Sequence, residues 1–189
     1  MIQSAGKPGI VLWSVTMSLD GFIAGPGDAM DWVFKYPGPN PEVEELIRTT
    51  GAVLAGRRSY DVGKKPGGPP ETRRVFGGAW TGPQFVLTHR PPDFEEDPTI
   101  TFISGDIGVA VARARAAALG KNVNLIGASI ARQCIDAGLV DEIFVLLAPV
   151  LLGDGVRFFS RQGTGPVGLE KLSATQAGKL TNLRFRVMK

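Results

Sequence analysis

Residues Asn122 to Leu139 read N-V-N-L-I-G-A-S-I-A-R-Q-C-I-D-A-G-L, and this stretch decides the fold. Val123-Asn124-Leu125-Ile126 is short, mostly apolar and closed by Gly127, the pattern of a strand buried in a parallel sheet. Ser129 is placed to cap a helix there, Ile130, Cys134, Ile135 and Leu139 fall near helical spacing, and Gly138 stands where a helix stops. A helix leaving a parallel strand directly aims free backbone N–H groups and the positive end of its dipole at the crevice above the sheet, where a phosphate can bind. The stretch is therefore a candidate phosphate cradle. An ordinary βα turn without a ligand has the same pattern, so the rest of the chain has to decide.

Upstream, Ile10 to Met17 is β-rich and reads as the first central strand. Ser18 to Asp28 follows as a loop punctuated by glycines and a proline, running on to Met30-Asp31-Trp32. Loops at the ends of central strands carry ligand contacts in α/β proteins, which makes Asp20, Asp31 and Trp32 candidates; a plain Asp20-Gly21 turn with Trp32 as a lid over the core is the alternative. Pro41 to Ile47 has a proline and acids in a helical first turn, with Gly51 expected to end the helix. Ala52 to Ala55 is a short buried strand, and Gly56-Arg57-Arg58-Ser59-Tyr60 makes a second βα turn. Two cations at a helix N-terminus oppose its dipole unless an anion sits there. Lys64 to Pro83, rich in Gly, Pro and base, reads as a long functional loop without regular structure beyond a short turn.

Gln84 to Leu87 is a strand whose end carries Thr88, His89 and Arg90, held by Pro91-Pro92. Thr99 to Ile103 is another strand, and alanine-rich Asp106 to Leu119 a strong helix. After the opening unit, Ile143 to Leu147 is a buried strand and Pro149 to Gly155 a glycine-bearing loop; Leu169 to Thr175 and Leu180 to Val187 form a closing hairpin. This order predicts an α/β three-layer sandwich with a mixed, mainly parallel central sheet and antiparallel C-terminal strands, one domain over 1–189 with 1–8 as a disordered arm. The closing hairpin leaves an edge, from which a homodimer is expected.

Composition narrows the chemistry. The 189 residues hold one cysteine, Cys134, and one histidine, His89, so neither an intrachain disulfide nor a His/Cys zinc site can form; carboxylate metal sites stay open, although no metal is expected. The longest apolar run, Ile143 to Leu152, is too short to cross a bilayer and contains Pro149, and the N-terminus lacks a signal peptide's apolar core. A cytoplasmic protein with no membrane partner is expected. The formal charge of +3 is dispersed apart from Arg57-Arg58, Lys64-Lys65 and Arg73-Arg74, and no aromatics interleave with those bases. That argues against a nucleic-acid partner; a small anionic ligand explains the excess equally well, and mild basicity is common in plain globular proteins, so charge by itself decides little. A serine triad through His89 lacks its nucleophile elbow, since no G-x-S-x-G occurs.

Five segments in this order, S-L-D-G-F-I-A (18–24), G-R-R-S-Y (56–60), L-T-H-R (87–90), G-L-V-D-E (138–142) and P-V-L-L-G-D-G (149–155), resemble the dihydrofolate reductase-like family, which includes the reductase domain of the bifunctional riboflavin biosynthesis deaminase/reductase. The resemblance implies NADPH as cofactor and a small molecule as substrate. Gly56, Arg57, Arg58 and Ser59 would hold the cofactor's phosphates, Thr88, His89 and Arg90 its adenosine 2′-phosphate side, and Gly127, Ala128, Ser129 and Ile130 its pyrophosphate. Asp20, Ile23 and Trp32 would border the nicotinamide, with Asp20 as the catalytic residue and Asp20, Asp31 and Trp32 toward substrate.

Two departures from the family pattern stand out. Ile126-Gly127 replaces the Gly-Gly pair common at the phosphate turn, and leaves that bond's geometry open. The place of the acid that dihydrofolate reductases carry after their Trp-containing loop falls near Pro37, which argues against folate reduction. The chain also lacks a deaminase domain with its His/Cys zinc pattern. The expected function is reduction of a pteridine-, pyrimidine- or flavin-precursor-like molecule, of the 5-amino-6-(5-phosphoribosylamino)uracil reductase type. The rivals are dihydrofolate reductase-like activity and a nucleotide-binding protein without catalysis; Asp20 and Trp32 in the loop favour an enzyme over the latter.

Overall fold

The computed structural model describes residues 9–163 and 165–189, so the expected arm at 1–8 lies outside the described residues. Ten strands and four α-helices follow in chain order: β1 Val11–Ser18, β2 Phe22–Ala24, α1 Pro41–Thr49, β3 Thr50–Gly56, α2 Arg57–Lys64, β4 Gln84–Leu87, β5 Ile100–Ile103, α3 Ile107–Ala117, β6 Asn122–Ile126, α4 Ala128–Asp136, β7 Glu142–Ala148, β8 Val156–Arg157, β9 Leu169–Ala177 and β10 Leu180–Val187. Eight strands form one sheet in the order β5-β4-β3-β6-β1-β7-β10-β9. The strands from β5 to β7 are parallel; β10 runs antiparallel to β7 and to β9. This is the mixed, mainly parallel sheet with antiparallel C-terminal strands that the element order implied.

Strand alternation divides the core into two faces. Val11, Trp13, Leu54, Val123, Leu125, Ile143 and Val145 pack with Ala110, Val111 and Ala114 of α3 and with Ile130, Ala131, Cys134 and Ile135 of α4. Leu12 and Phe144, on the other face, pack with Leu46 of α1. The β3–α2–β4 crossover continues in the direction of β1–α1–β3, so right-handedness sets α2 on the α1 face. Three layers result. Among the described residues no helix is long and apolar enough to cross a membrane.

Several local expectations need correction. Gly51 does not end α1 but lies in β3, because Thr49 and Thr50 close the helix by bonding the carbonyls of Glu45 and Leu46 at 2.8 and 2.7 Å. Glycine is needed at 51 for another reason: a Cβ there would meet the Ala118 carbonyl oxygen at 2.4 Å. Ser129 does not cap α4; Gly127 holds the N-cap at φ 97°, and the Ser129 hydroxyl lies 3.4 Å from Gln133 inside the helix. The segment 18–28 is not all loop, since β2 pairs antiparallel with β8 in a small second sheet. Within 64–83, two short 3-10 turns form at Pro70–Arg73 and Val75–Gly78.

Candidate functional site

Neighbouring strands β3 and β6 send their connections in opposite directions, β3 through α2 to β4 and β6 through α4 to β7. This is a topological switch point, where open α/β sheets leave a crevice at the strands' carboxyl ends. Two helix N-termini meet there. Gly56 and Gly127 hold the N-cap positions, and among the described residues no side chain caps either helix, so first-turn N–H groups stay available to a ligand. The turns interlock: a Cβ on Gly56 would approach Ile130 to 3.1 Å, and one on Gly127 would approach Ser59 Oγ to 2.4 Å. The Ile126–Gly127 bond is trans, as no cis peptide occurs among the described residues.

A cleft of about 790 Å³ opens over these turns on the α1–α2 face. Ile23, Gly56, Arg57, Arg58, Ser59, Thr88, His89, Gly127, Ala128, Ser129 and Ile130 all line it. Three separate strand ends thus converge on one cavity. Past the phosphate-sized turns the cleft continues into an apolar chamber walled by Phe34, Val43, Leu46, Phe76 and Leu146, with Ser14, Thr16 and Asn124 on its sheet floor. Arg73 and Arg74 add positive charge.

Carboxylates already answer the two α2 arginines. Arg57 Nε donates to Asp61 at 2.7 Å, and Arg58 Nε donates to Asp28 at 2.7 Å, while the Arg57 guanidinium also donates to the carbonyl of Arg90. Both pairs are exposed enough to be worth little, so a bound phosphate can replace the carboxylates at small cost. Behind them, Tyr60 donates to Glu95, which also takes Lys64 at 2.7 Å. Burial opposes the charge of Glu95, yet the bonds from Lys64 and Tyr60 hold its carboxyl down at about 2. Burial and Glu95 push the Tyr60 phenol up to about 12. This network anchors α2 to the 90–98 loop.

Four expected residues do not line the cleft: Asp20, Asp31, Trp32 and Arg90. Asp20 accepts from Ser18 Oγ at 2.6 Å, from Leu152 N at 3.1 Å and from Gly153 N at 2.7 Å. The Ser18 bond first, with the Gly153 and Leu152 amides, lowers its carboxyl to about 2. An acid so held is ionised at neutral pH and ties the 20s loop to the 150s loop, a positioning arrangement that differs from the catalytic role expected for it. Asp31 is exposed and lies 3.9 Å from Lys35. Trp32 is buried in a 3-10 turn at Asp31–Lys35, and its Nε1 has no partner among the described residues. Arg90 is exposed, and its backbone N–H donates to Thr88 Oγ1 at 3.0 Å.

Sequence reasoning missed Tyr60, Asn124 and the two arginines at 73 and 74 as cleft residues. The signal for Asn124 was present, a lone amide in the buried run V-N-L-I.

The family model of the RibD C-terminal domain matches residues 10–182. The chain belongs to the RibD C-terminal domain family. Among its relatives, the uncharacterized protein YwjB of Bacillus subtilis (strain 168) is 25% identical over 175 residues, covering 90% of this chain and 94% of YwjB. A protein of Shewanella sp. PV-4, provisionally named as a riboflavin biosynthesis protein, superposes with a TM-score of 0.77 at 19% identity, over 95% of this RibD C-terminal domain chain and 99% of its own. Dihydrofolate reductase from Enterococcus faecalis, solved with NADP(H), superposes with a TM-score of 0.62 at 14% identity, over 96% and 98%. At such identities the two structures establish a shared dihydrofolate reductase-like fold.

Proposed function

We propose that this RibD C-terminal domain protein is an NADPH-dependent reductase of a small pteridine-, pyrimidine- or flavin-precursor-like molecule, resembling 5-amino-6-(5-phosphoribosylamino)uracil reductases. The observation that carries the reading is the pair of uncapped helix N-termini, α2 and α4, opening side by side on a cleft that continues into an apolar chamber. The turns suit the phosphates of a dinucleotide. The chamber offers room for a second, flat ligand, which a protein that only stored a nucleotide has no need to keep. When bound, NADPH supplies the hydride; the chain supplies orientation, charge and exclusion of water. Gly56 to Ser59 and Gly127 to Ile130 would hold its phosphates, with Thr88 and His89 toward the 2′-phosphate. Among the arginines and hydroxyls in those roles there is no acid of the kind that NAD sites place on the ribose.

Cofactor preference tests this assignment. A charge-assisted hydrogen bond contributes about 1.5–3 kcal/mol, so removing one should weaken NADPH by about 10- to 150-fold. Titration of Arg58→Ala should show such a loss for NADPH and little change for NADH. Equal losses for both cofactors would move this side chain to the shared pyrophosphate or to the scaffold.

In this reading Asp20 is a positioning residue. Asn at position 20 can still accept from Leu152 and Gly153, so Asp20→Asn should lose less than tenfold in turnover, whereas removing a general acid or base costs about 10²–10⁴-fold. A loss in that higher range, accompanied by a vanished limb of the pH–rate profile, would restore the catalytic role.

We also propose a homodimer through β9, an edge strand with exposed Leu169 and Leu172. Sedimentation at high protein concentration is expected to return a dimer mass, and a monomer mass would remove this partner.

A further inference from the structure

Two asparagines of the main sheet are equally buried, each 1% exposed, and differ in their partners. Asn182 on β10 exchanges two side-by-side hydrogen bonds with Asn40, at 2.9 and 3.0 Å, each carboxamide donating one N–H and accepting one at its carbonyl. Among the described residues Asn124 on β6 has no partner for Nδ2 or for Oδ1. It stands in register between Leu12 of β1 and Val53 of β3, and it lines the chamber whose walls are Val43, Leu46, Phe76 and Leu146. Leaving a buried donor and a buried acceptor unpaired is expensive, and an apolar residue like its two neighbours would avoid the cost. Such an amide is retained to advantage where a ligand completes it. Three residues before Gly127, at about 3.3 Å per residue of strand, it also lies some 10 Å below the phosphate turn, too deep to serve the phosphates.

We propose that Asn124 determines substrate specificity. Its carboxamide pairs side by side with one edge of a flat substrate that carries an N–H donor next to a C=O acceptor, as a lactam or cyclic imide does. The Asn40–Asn182 pair displays this same two-bond arrangement within the fold. Apolar walls suit the faces of such a ring, and the amide reads its edge. The identification of the second ligand as a substrate rests on the reductase reading; the pairing chemistry does not. A nicotinamide carboxamide offers the same edge, so cofactor and substrate are measured separately.

Calorimetric titration of the full-length protein, with and without NADPH, uses 6-aminouracil and its 1,3-dimethyl derivative, in which both ring N–H donors are blocked. The parent protein should bind 6-aminouracil at least tenfold more tightly than the dimethyl compound. Asn124→Leu should erase that discrimination, leave NADPH affinity unchanged and melt no lower than the parent, because the unpaired amide is gone. Asn124→Ser, which keeps a polar side chain without the carboxamide, should erase it too and serves if the leucine variant fails to fold. Discrimination that survives in either folded variant, or its absence in the parent, overturns the proposal. So does a loss confined to NADPH, which would assign the amide to the nicotinamide. Failure of NADPH to bind would sink the reductase reading alone, since the uracil pair still reports on Asn124 without it.

Discussion

Gly127→Val is expected to weaken NADPH by about 10²- to 10⁴-fold, the loss of two charge-assisted hydrogen bonds at about 1.5–3 kcal/mol each. Gly127 sits at φ 97° and ψ 142°, a backbone region open essentially to glycine alone. A Cβ there would also meet Ser59 Oγ at 2.4 Å, so the Ser59 hydroxyl has to turn away from the α4 turn. Relaxation of the strained residue rotates the first N–H groups of α4 away from the cleft, and Ser59 is displaced from the neighbouring turn. The backbone strain itself costs about 1–3 kcal/mol, which for a chain of this size lowers the Tm by about 2–12 °C. Gly178 provides the control. It has φ 59° in the β9–β10 turn, and a Cβ there would have nothing within 4 Å, so Gly178→Ala should cost stability without touching NADPH. Parallel thermal melts and fluorescence titrations of the two variants check both halves. An affinity for NADPH that Gly127→Val leaves intact would separate the cradle from the cofactor.

Gly155→Ala is expected to be strongly destabilising. Its φ is +135°, and a Cβ there would lie 2.0 Å from the Ala24 carbonyl oxygen and 2.9 Å from Gly25 Cα. Those are backbone atoms, so no rotamer change relieves the contact. Strain of about 1–3 kcal/mol combines with overpacking of about 1–3 kcal/mol, and the Tm should fall by about 4–24 °C. Function should suffer as well, because this junction builds one wall of the cleft. β2 pairs with β8, Leu19 N donates to the Val150 carbonyl at 2.8 Å, Phe158 N donates to the Gly21 carbonyl at 2.8 Å, and Asp20 collects the amides of Leu152 and Gly153. Ile23, Ala24 and Val156 carry the junction to the cavity. A melt within a degree or two of the parent would mean that the 20s and 150s loops are not packed as described.

The large architecture was legible because each element carries its own local signature. The apolar run 123–126 with Gly127 behind it, and the prolines and acids opening α1, are complete within a few residues. The two glycine turns were legible as well, since a strand running straight into a helix is a local pattern. What stayed hidden depends on partners far along the chain. β8 is two residues long and exists only through β2, more than a hundred positions earlier. Asp20 looked outward from its turn in sequence, and its partners at 152 and 153 turn it inward. Gly51 looked like a helix stop, and the Ala118 carbonyl explains it instead. Asn124 was read only as part of a strand, because nothing within V-N-L-I says that Leu12 and Val53 will flank it and leave its amide unpaired.

The most direct measurement follows hydride itself. The full-length protein is incubated with NADPH carrying deuterium at both dihydronicotinamide C4 positions and with pteridines, aminopyrimidinediones and simple carbonyl compounds in turn, and the products are weighed by mass spectrometry. Deuterium is expected in the reduced product of one heterocycle class with the parent protein, and in none with Gly127→Val. Tight NADPH binding by the parent with no deuterium transferred to any acceptor would contradict the account and leave a nucleotide-binding protein without catalysis.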